Sequence, residues 1–165
     1  MSIPVLKWGM TFSSFLVEAG SLPRDHWNEV GTFREALHFN PDHDRYRAAE
    51  RAGALRILTA HVDGCLAGYL FLLIIPHPRD KNAILARDDI FYVRPSCRRM
   101  LLGPTMIDEV MTYAEQHAHI IMLSEKVRRS ATRGVRGGDY LMRWGLEPLE
   151  VVWGRVLRNP HGDAT

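Results

Sequence analysis

Two runs of strand-forming residues, Leu55–Val62 and residues 65–75, stand either side of Asp63-Gly64, and this feature constrains the fold most. Asp-Gly tolerates positive φ at both central positions of a two-residue turn, and that turn's twist matches the strands it joins. The pair therefore predicts an antiparallel hairpin. The outgoing run alternates loosely. The returning run, from Cys65 through Ala67-Gly68-Tyr69-Leu70-Phe71-Leu72 to Ile75, is nearly all apolar. That is the pattern of a central strand covered on both faces. Its uncharged stretch falls far below the ~20 residues a membrane-spanning helix needs.

The rest of the chain arranges itself around this hairpin. Pro76-His77-Pro78 breaks the second run, and residues 83–93 form the next strand candidate, closing on Asp88-Asp89-Ile90-Phe91-Tyr92-Val93. Arg94-Pro95-Ser96 makes a turn, because Pro95 disfavours helix at the residue before it. Over residues 102–118, Leu102, Met106, Val110 and Ala114 recur at helical steps beside Ile107 and Met111. Pro104 sits where a first-turn proline is tolerated. His119-Ile120-Ile121-Met122-Leu123 then reads as a strand, which makes strand–helix–strand the natural unit.

Residues 1–53 read as mainly helical, with helices over 12–19, 26–30 and 42–51, stops at Gly20 and Gly53, and Asp42 as a helix start. Toward the other end, a short helix over 139–144 stops at Gly145, residues 147–157 read as terminal strands, and 158–165 as a frayed tail. A chain of 165 residues is one domain. Its expected regions are a helical part (1–53), a central sheet with its following helix (54–125) and a closing part (126–157). The expected class is α+β, of three-layer α/β type with one mixed sheet.

Charge adds an exclusion. Twenty-one Lys and Arg against nineteen Asp and Glu leave +2, so nothing in the overall balance marks a nucleic-acid or membrane binder. Cys65 and Cys97 are too few for a disulfide framework and lack metal-ligand spacing. They are expected as buried or half-buried thiols in a reducing cytoplasm, with no metal site. Met1-Ser2-Ile3-Pro4 has no basic start and no long apolar run follows, so a cytoplasmic protein is expected.

Chemistry concentrates at Arg98-Arg99-Met100-Leu101-Leu102-Gly103-Pro104, between a strand and a long helix. The first N–H groups of a helix lack partners within it, and the aligned peptide dipoles make that end positive. A pyrophosphate can rest there, with arginines adding charge-assisted contacts and Gly103 allowing close approach. The same heptad also suits a glycine at a tight turn beside two solvated arginines.

The flanks bear on the choice. Phe91-Tyr92-Val93-Arg94-Pro95-Ser96-Cys97-Arg98 through Gly103 resembles the coenzyme-binding motif of the GNAT superfamily, the acyl-CoA-dependent N-acyltransferases. There a strand ends in Val-x-Pro, and Gln/Arg-x-x-Gly-x-Gly/Ala opens the next helix. Arg98 matches the first position and Gly103 the last, while Leu101 replaces the first glycine. Tyr140 to Gly145-Leu146 resembles the family's Tyr-x-x-x-x-Gly-Phe segment, with Leu146 for Phe. The Asp63-Gly64 hairpin with Gly68 resembles the family's central strand pair. The resemblance covers roughly residues 55–157. Trp27, Tyr46, Gly53, Pro76-His77 and residues 89–92 also resemble the GNAT proteins of tailed phages and prophages.

The resemblance implies a mostly antiparallel sheet splayed at its middle, with helices flanking it. It implies acetyl-CoA as co-substrate, held by Phe91, Tyr92, Val93, Arg98, Arg99, Met100, Leu101, Leu102, Gly103 and Pro104. Main-chain groups near Phe91 to Val93 would bond the pantetheine amides and thioester carbonyl, polarising that carbonyl. The amine would attack directly, leaving no role for Cys65 or Cys97. Tyr140 matches the tyrosine that protonates the departing thiolate. Asp89, on the strand four residues before Val93 and sharing its face by the two-residue period, would orient or deprotonate the amine. Glu50 and Asp44 are weaker candidates, and His77 is a candidate at the substrate mouth.

The acceptor implied is a protein lysine, a protein N-terminus or a small amine, and homodimers are common in the family. Residues 126–136 hold five basic side chains and no acid. They suit a solvated loop, the 3′-phosphate of the coenzyme, or a polyanion. A nucleic-acid-binding or nucleobase-modifying protein on this fold is the alternative of another class, as is a non-catalytic binder of acyl-CoA or of a host protein.

Overall fold

The computed structural model describes residues 3–125, 137–150, 152–157 and 160. Its centre is the expected hairpin. β2 (Leu55–Val62) and β3 (Cys65–His77) pair antiparallel across Asp63 and Gly64, whose φ values are 52° and 76°. Positive φ at both turn residues is the geometry Asp-Gly was expected to supply. β3 continues two residues past the expected break, with Pro76 opposite Ile84 near the strand's end. β4 (Asp80–Val93) returns antiparallel to β3.

Ahead of this sheet core the N-terminal region is not wholly helical. Val5–Trp8 forms β1, paired antiparallel with β2 from Val5 opposite His61 to Trp8 opposite Leu58. Four residues are too few to show a period by themselves; the exposed edge of β2 makes the strand. Three helices follow. α1 (Phe12–Ala19) is capped by the Thr11 hydroxyl, which accepts from Ser14 N–H at 3.1 Å. α2 (Leu22–Val30) begins four residues before its expected start, with Pro23 in the first turn. α3 (His43–Arg51) starts at Asp42, whose carboxylate accepts from Arg45 N–H at 3.0 Å.

β4 is followed by a 3₁₀ turn at Pro95–Met100, then α4 (Leu102–His117) and β5 (Ile120–Met122), which lies parallel to β4. The sheet order is β1-β2-β3-β4-β5, mostly antiparallel with one parallel edge pair. Its faces carry separate cores. Ile57, Tyr69, Phe71 and Tyr92 pack with Phe12, Phe15 and Leu22 of the first two helices. Leu58, Leu70, Leu72 and Val93 pack with Leu102, Met106 and Val110 of α4. The register skips Ala67, so Leu66 and Ala67 exchange the faces a strict alternation would assign.

α5 (Gly137–Arg143) precedes Gly145, as expected. Among the described residues the expected terminal strands are not present. Residues 146–150 and 152–157 form no strand, and Leu149, Val152, Trp153 and Leu157 stand exposed. β-forming side chains become a strand only against a neighbour, and among the described residues none pairs with this segment. Cys65 likewise departs from expectation. It opens β3 beside the turn and is exposed, while Cys97 is half-buried.

Candidate active site

The sheet comes apart between β4 and β5. Only three pairs join them, Leu85–Ile120, Ala86–Ile121 and Arg87–Met122, and β4 then runs six residues further, to Val93. Asp88 stands at the parting. Its carboxylate accepts the Ser124 N–H at 2.7 Å, so the chain leaving β5 is held by a side chain where the ladder ends. Burial pushes the Asp88 carboxyl above the usual range, and the Ser124 hydrogen bonds only partly offset this.

Asp89 lies at a bulge. Phe71 is opposite Ile90 and Leu72 opposite Asp88, leaving Asp89 as the extra residue. The expected alternation with Phe91 and Val93 is therefore broken. Those two side chains pack on the α4 side, whereas the exposed Asp89 accepts a 2.7 Å hydrogen bond from the Tyr46 hydroxyl. Tyr46 packs with the helices of the opposite face. Burial, then the Asp89 hydrogen bond, drive the Tyr46 phenol well above its ordinary value.

Beyond the bulge, β4 offers a free edge. Arg94 N–H bonds the Ala67 carbonyl at 2.8 Å. Bonding alternates along an antiparallel strand, so Tyr92 also bonds into β3 while Phe91 and Val93 turn their main-chain groups outward. The Val93 carbonyl is taken by Arg98 Nε at 2.9 Å. The same guanidinium forks onto Glu29 of α2 at 2.5 and 2.8 Å, and Tyr92 donates to Glu29 at 2.9 Å. Arg98 thus ties α2 to the end of β4 rather than projecting freely toward a phosphate. Its neighbours differ: Arg99 is exposed and Met100 half-buried.

Leu101 opens α4 in the left-handed conformation, φ 57° and ψ 18°. It occupies the position where the resembling motif has glycine, and its backbone adopts a glycine-like shape. Leu102 turns inward, fully buried, and Gly103 follows. A Cβ built at Gly103 would meet only Phe91 Cζ, at 3.8 Å. Packing therefore does not demand glycine there; the position lines a groove that a side chain would narrow. Leu101, Gly103, Pro104, Phe91, Val93 and Tyr140 all border this groove. The bare main chain at the start of α4 and along β4 fits a pyrophosphate-bearing arm.

Tyr140 reaches the same helix start from α5. Its hydroxyl bonds the Asp108 carboxylate and, at 3.2 Å, the Pro104 carbonyl. Trp144 Nε1 bonds the same Asp108 oxygen at 2.8 Å. Burial first, and the Asp108 hydrogen bond second, raise the Tyr140 phenol, so it stays protonated at neutral pH.

The minor candidates resolve otherwise. Glu50 accepts Phe12 N–H at 2.6 Å and so closes the start of α1, and Asp44 pairs with Arg47 in solvent. His77 sits at the β3–β4 hairpin end, outside the groove, bonded by Arg79 N–H. Residues 126–136 lie outside the described residues. Glu29, Tyr46, Asp108 and Trp144 are partners that reasoning from local spacing did not assign. Glu29, Tyr46 and Asp108 meet Arg98, Asp89 and Tyr140 over more than 30 positions of chain, so no local pattern carries those signals, whereas Trp144 lies four residues from Tyr140 and shares its Asp108 partner. Among the described residues no cluster of His, Cys, Asp and Glu could hold a metal, and no helix is long and apolar enough to cross a membrane.

Solved structures share this arrangement of a mixed sheet and its crossover helix. The ribosomal-protein-alanine N-acetyltransferase of Brucella melitensis superposes with a TM-score of 0.62 at 17% identity, covering 93% of this chain and 98% of that one. The glucosamine-6-phosphate N-acetyltransferase of Arabidopsis thaliana gives 0.62 at 10% identity, over 93% and 99%. AAC(6')-Iy, in complex with the bisubstrate analogue CoA-S-monomethyl-acetylneamine, gives 0.60 at 16% identity, over 95% and 99%. At these identities the likeness is one of fold. No curated protein sequence matches the chain. Residues 24–134 match the Acetyltransferase (GNAT) family, and the chain belongs to that family, whose members use acetyl-CoA.

Proposed function

We propose that this protein is an acetyl-CoA-dependent N-acetyltransferase that passes the acetyl group directly to a primary amine. The observation that carries the proposal is the open β4 edge, with the main-chain groups of Phe91 and the Val93 N–H turned outward beside the start of α4, the Val93 carbonyl being held by Arg98. Acetyl-CoA supplies an acyl group activated as a thioester. The amides around Leu102 and Gly103 hold the diphosphate, and the outward groups of β4 align the arm as an added strand and polarise the carbonyl.

Asp89 receives one proton of the incoming ammonium, directly or through water. As the C–N bond forms and the C–S bond breaks, Tyr140 gives its proton to the departing sulfur and is reprotonated by the second amine proton. One proton is released per turnover. The cysteines have no part in this scheme. The phage-like resemblance and the expected cytoplasmic setting, the host's cytoplasm where a phage encodes the chain, complete the proposal.

Calorimetry with acetyl-CoA tests it. Saturable binding in the micromolar range is expected, and a folded protein that shows none at high micromolar cofactor overturns the assignment. Tyr140→Phe should lower kcat about 10²-fold or more with little change in cofactor affinity. Equal loss of both would assign Tyr140 to packing instead.

A further inference from the structure

On the acceptor side of β4 the groove has an unusual chemistry. Its wall is aromatic. Trp27 of α2 lies 6.3 Å from Phe39 between ring centroids, and Tyr46 of α3 lies 5.1 Å from Phe12 and 5.4 Å from Phe71. Trp27, Phe39 and Tyr46 are half-buried, so each keeps ring surface toward the groove it lines. Negative charge enters this wall at the β-bulge, where Asp89 is presented beside the Tyr46 hydroxyl.

Other charged side chains border the groove: Glu125 follows β5, the exposed Asp139 and Arg143 lie on α5, and Asp88, Asp108, Arg98 and Arg24 are committed to partners. Asp88 holds Ser124, and Asp108 holds Tyr140 and Trp144. Arg98 is held by Glu29, and the Arg24 guanidinium lies over the Phe39 ring at 5.6 Å. Among the described residues, the wall formed by Trp27, Phe39, Tyr46 and the β4 bulge presents one exposed carboxylate, Asp89, against its aromatic rings. It matches one ammonium on an apolar stem, since aromatic faces hold both hydrocarbon and cation.

We propose that the acceptor is a monocationic primary amine on an aromatic or branched apolar stem, with its ammonium at Asp89 and its stem against Trp27, Phe39 and Tyr46. This rests on the transferase reading above and narrows it to one substrate class. The ammonium meets Asp89 where the bulge turns that carboxylate away from the α4 face. The Tyr46 hydroxyl holds the carboxylate in place, which makes Tyr46 a positioning residue.

The test uses the full chain with acetyl-CoA and four acceptors: phenethylamine, spermidine, glucosamine 6-phosphate and a lysine-containing peptide. Phenethylamine is expected to have a kcat/KM at least tenfold above each of the others. Calorimetric titration with phenethylamine alone should show binding that weakens at least tenfold in Asp89→Asn, while acetyl-CoA affinity in that variant is unchanged. Trp27→Ala should raise KM for phenethylamine more than it lowers kcat; if that variant fails to fold, Asp89→Asn, nearly identical in shape, decides.

Faster transfer to spermidine, the phosphosugar or the peptide overturns the substrate class and leaves the transferase reading intact. Unchanged phenethylamine binding in Asp89→Asn likewise overturns the inference. Acetyl-CoA binding without turnover of any of the four overturns the substrate class too. Absence of acetyl-CoA binding removes the transferase reading itself, on which this inference stands.

Discussion

At Leu101 a leucine holds a backbone shape that glycine adopts without strain, because φ of 57° brings Cβ against the neighbouring carbonyl at a cost of roughly 1–2 kcal/mol. The side chain is 68% exposed, so burial returns little of that cost. Leu101→Gly should therefore stabilise the protein by about 0.5–1 kcal/mol, the relieved strain less the extra chain entropy of glycine. Urea denaturation reads the difference, and a destabilised variant would show that the leucine makes an unrecognised contact. Asp108 is the other residue with a local consequence. Its carboxylate raises Tyr140 through the hydrogen bond and the nearby negative charge, after burial. In its proposed role as general acid Tyr140 works while protonated, so activity should fall as pH rises through its pKa. Asp108→Asn removes the charge and should move that alkaline limb of kcat to lower pH. A limb that stays in place would mean that another group sets it.

At the scale of elements, the candidate site is a meeting of pieces held by side chains. α2 is fastened to the end of β4 through Glu29 and Arg98, both about one-third exposed. Solvent screens such a pair, so Glu29→Ala should cost about 1 kcal/mol or less in dilute buffer, and less again at 1 M salt. Denaturation midpoints at the two salt concentrations check this. The parting of β4 from β5 depends on Asp88, whose carboxyl is raised by burial. A carboxyl raised on folding loses stability as pH climbs from its ordinary value through the folded one, so ionised Asp88 works against the fold at neutral pH. Asp88→Asn keeps an acceptor for Ser124 N–H without the buried charge. Its denaturation midpoint should exceed that of the parent at pH 7 and match it near pH 3.

The whole molecule carries a related signature in its tyrosines. Tyr46, Tyr69, Tyr92 and Tyr140 are all raised, with burial the first cause in each. Their folded states keep the phenol proton above pH 10, where the unfolded chain has lost it. The folded chain then binds more protons, and stability should be level up to about pH 10 and fall steeply beyond it. Denaturation from pH 8 to 11 measures this, and Tyr69→Phe, which removes one buried phenol, should make the alkaline fall shallower. A fall that begins near pH 8 would point to other groups.

Much of this architecture was legible in the chain because its signals are local. The Asp63-Gly64 turn, the apolar run of β3, the Asp42 start of α3 and the stripe of α4 each depend on residues a few positions apart, within reach of one backbone turn or one helical face. The ordered series from Val93 through Gly103 to Tyr140 likewise marked the family before any contact was known. Other features depended on partners distant in sequence. β1 exists because β2 offers it an edge, and residues 147–150 and 152–157 are no strand because no described edge receives them. A one-residue bulge reversed the side on which Asp89 is presented, and Glu29 came to hold Arg98 across 69 positions. Periodicity records which face a residue prefers when the ladder is regular; where the register slips or a charge finds a remote partner, only three-dimensional packing decides.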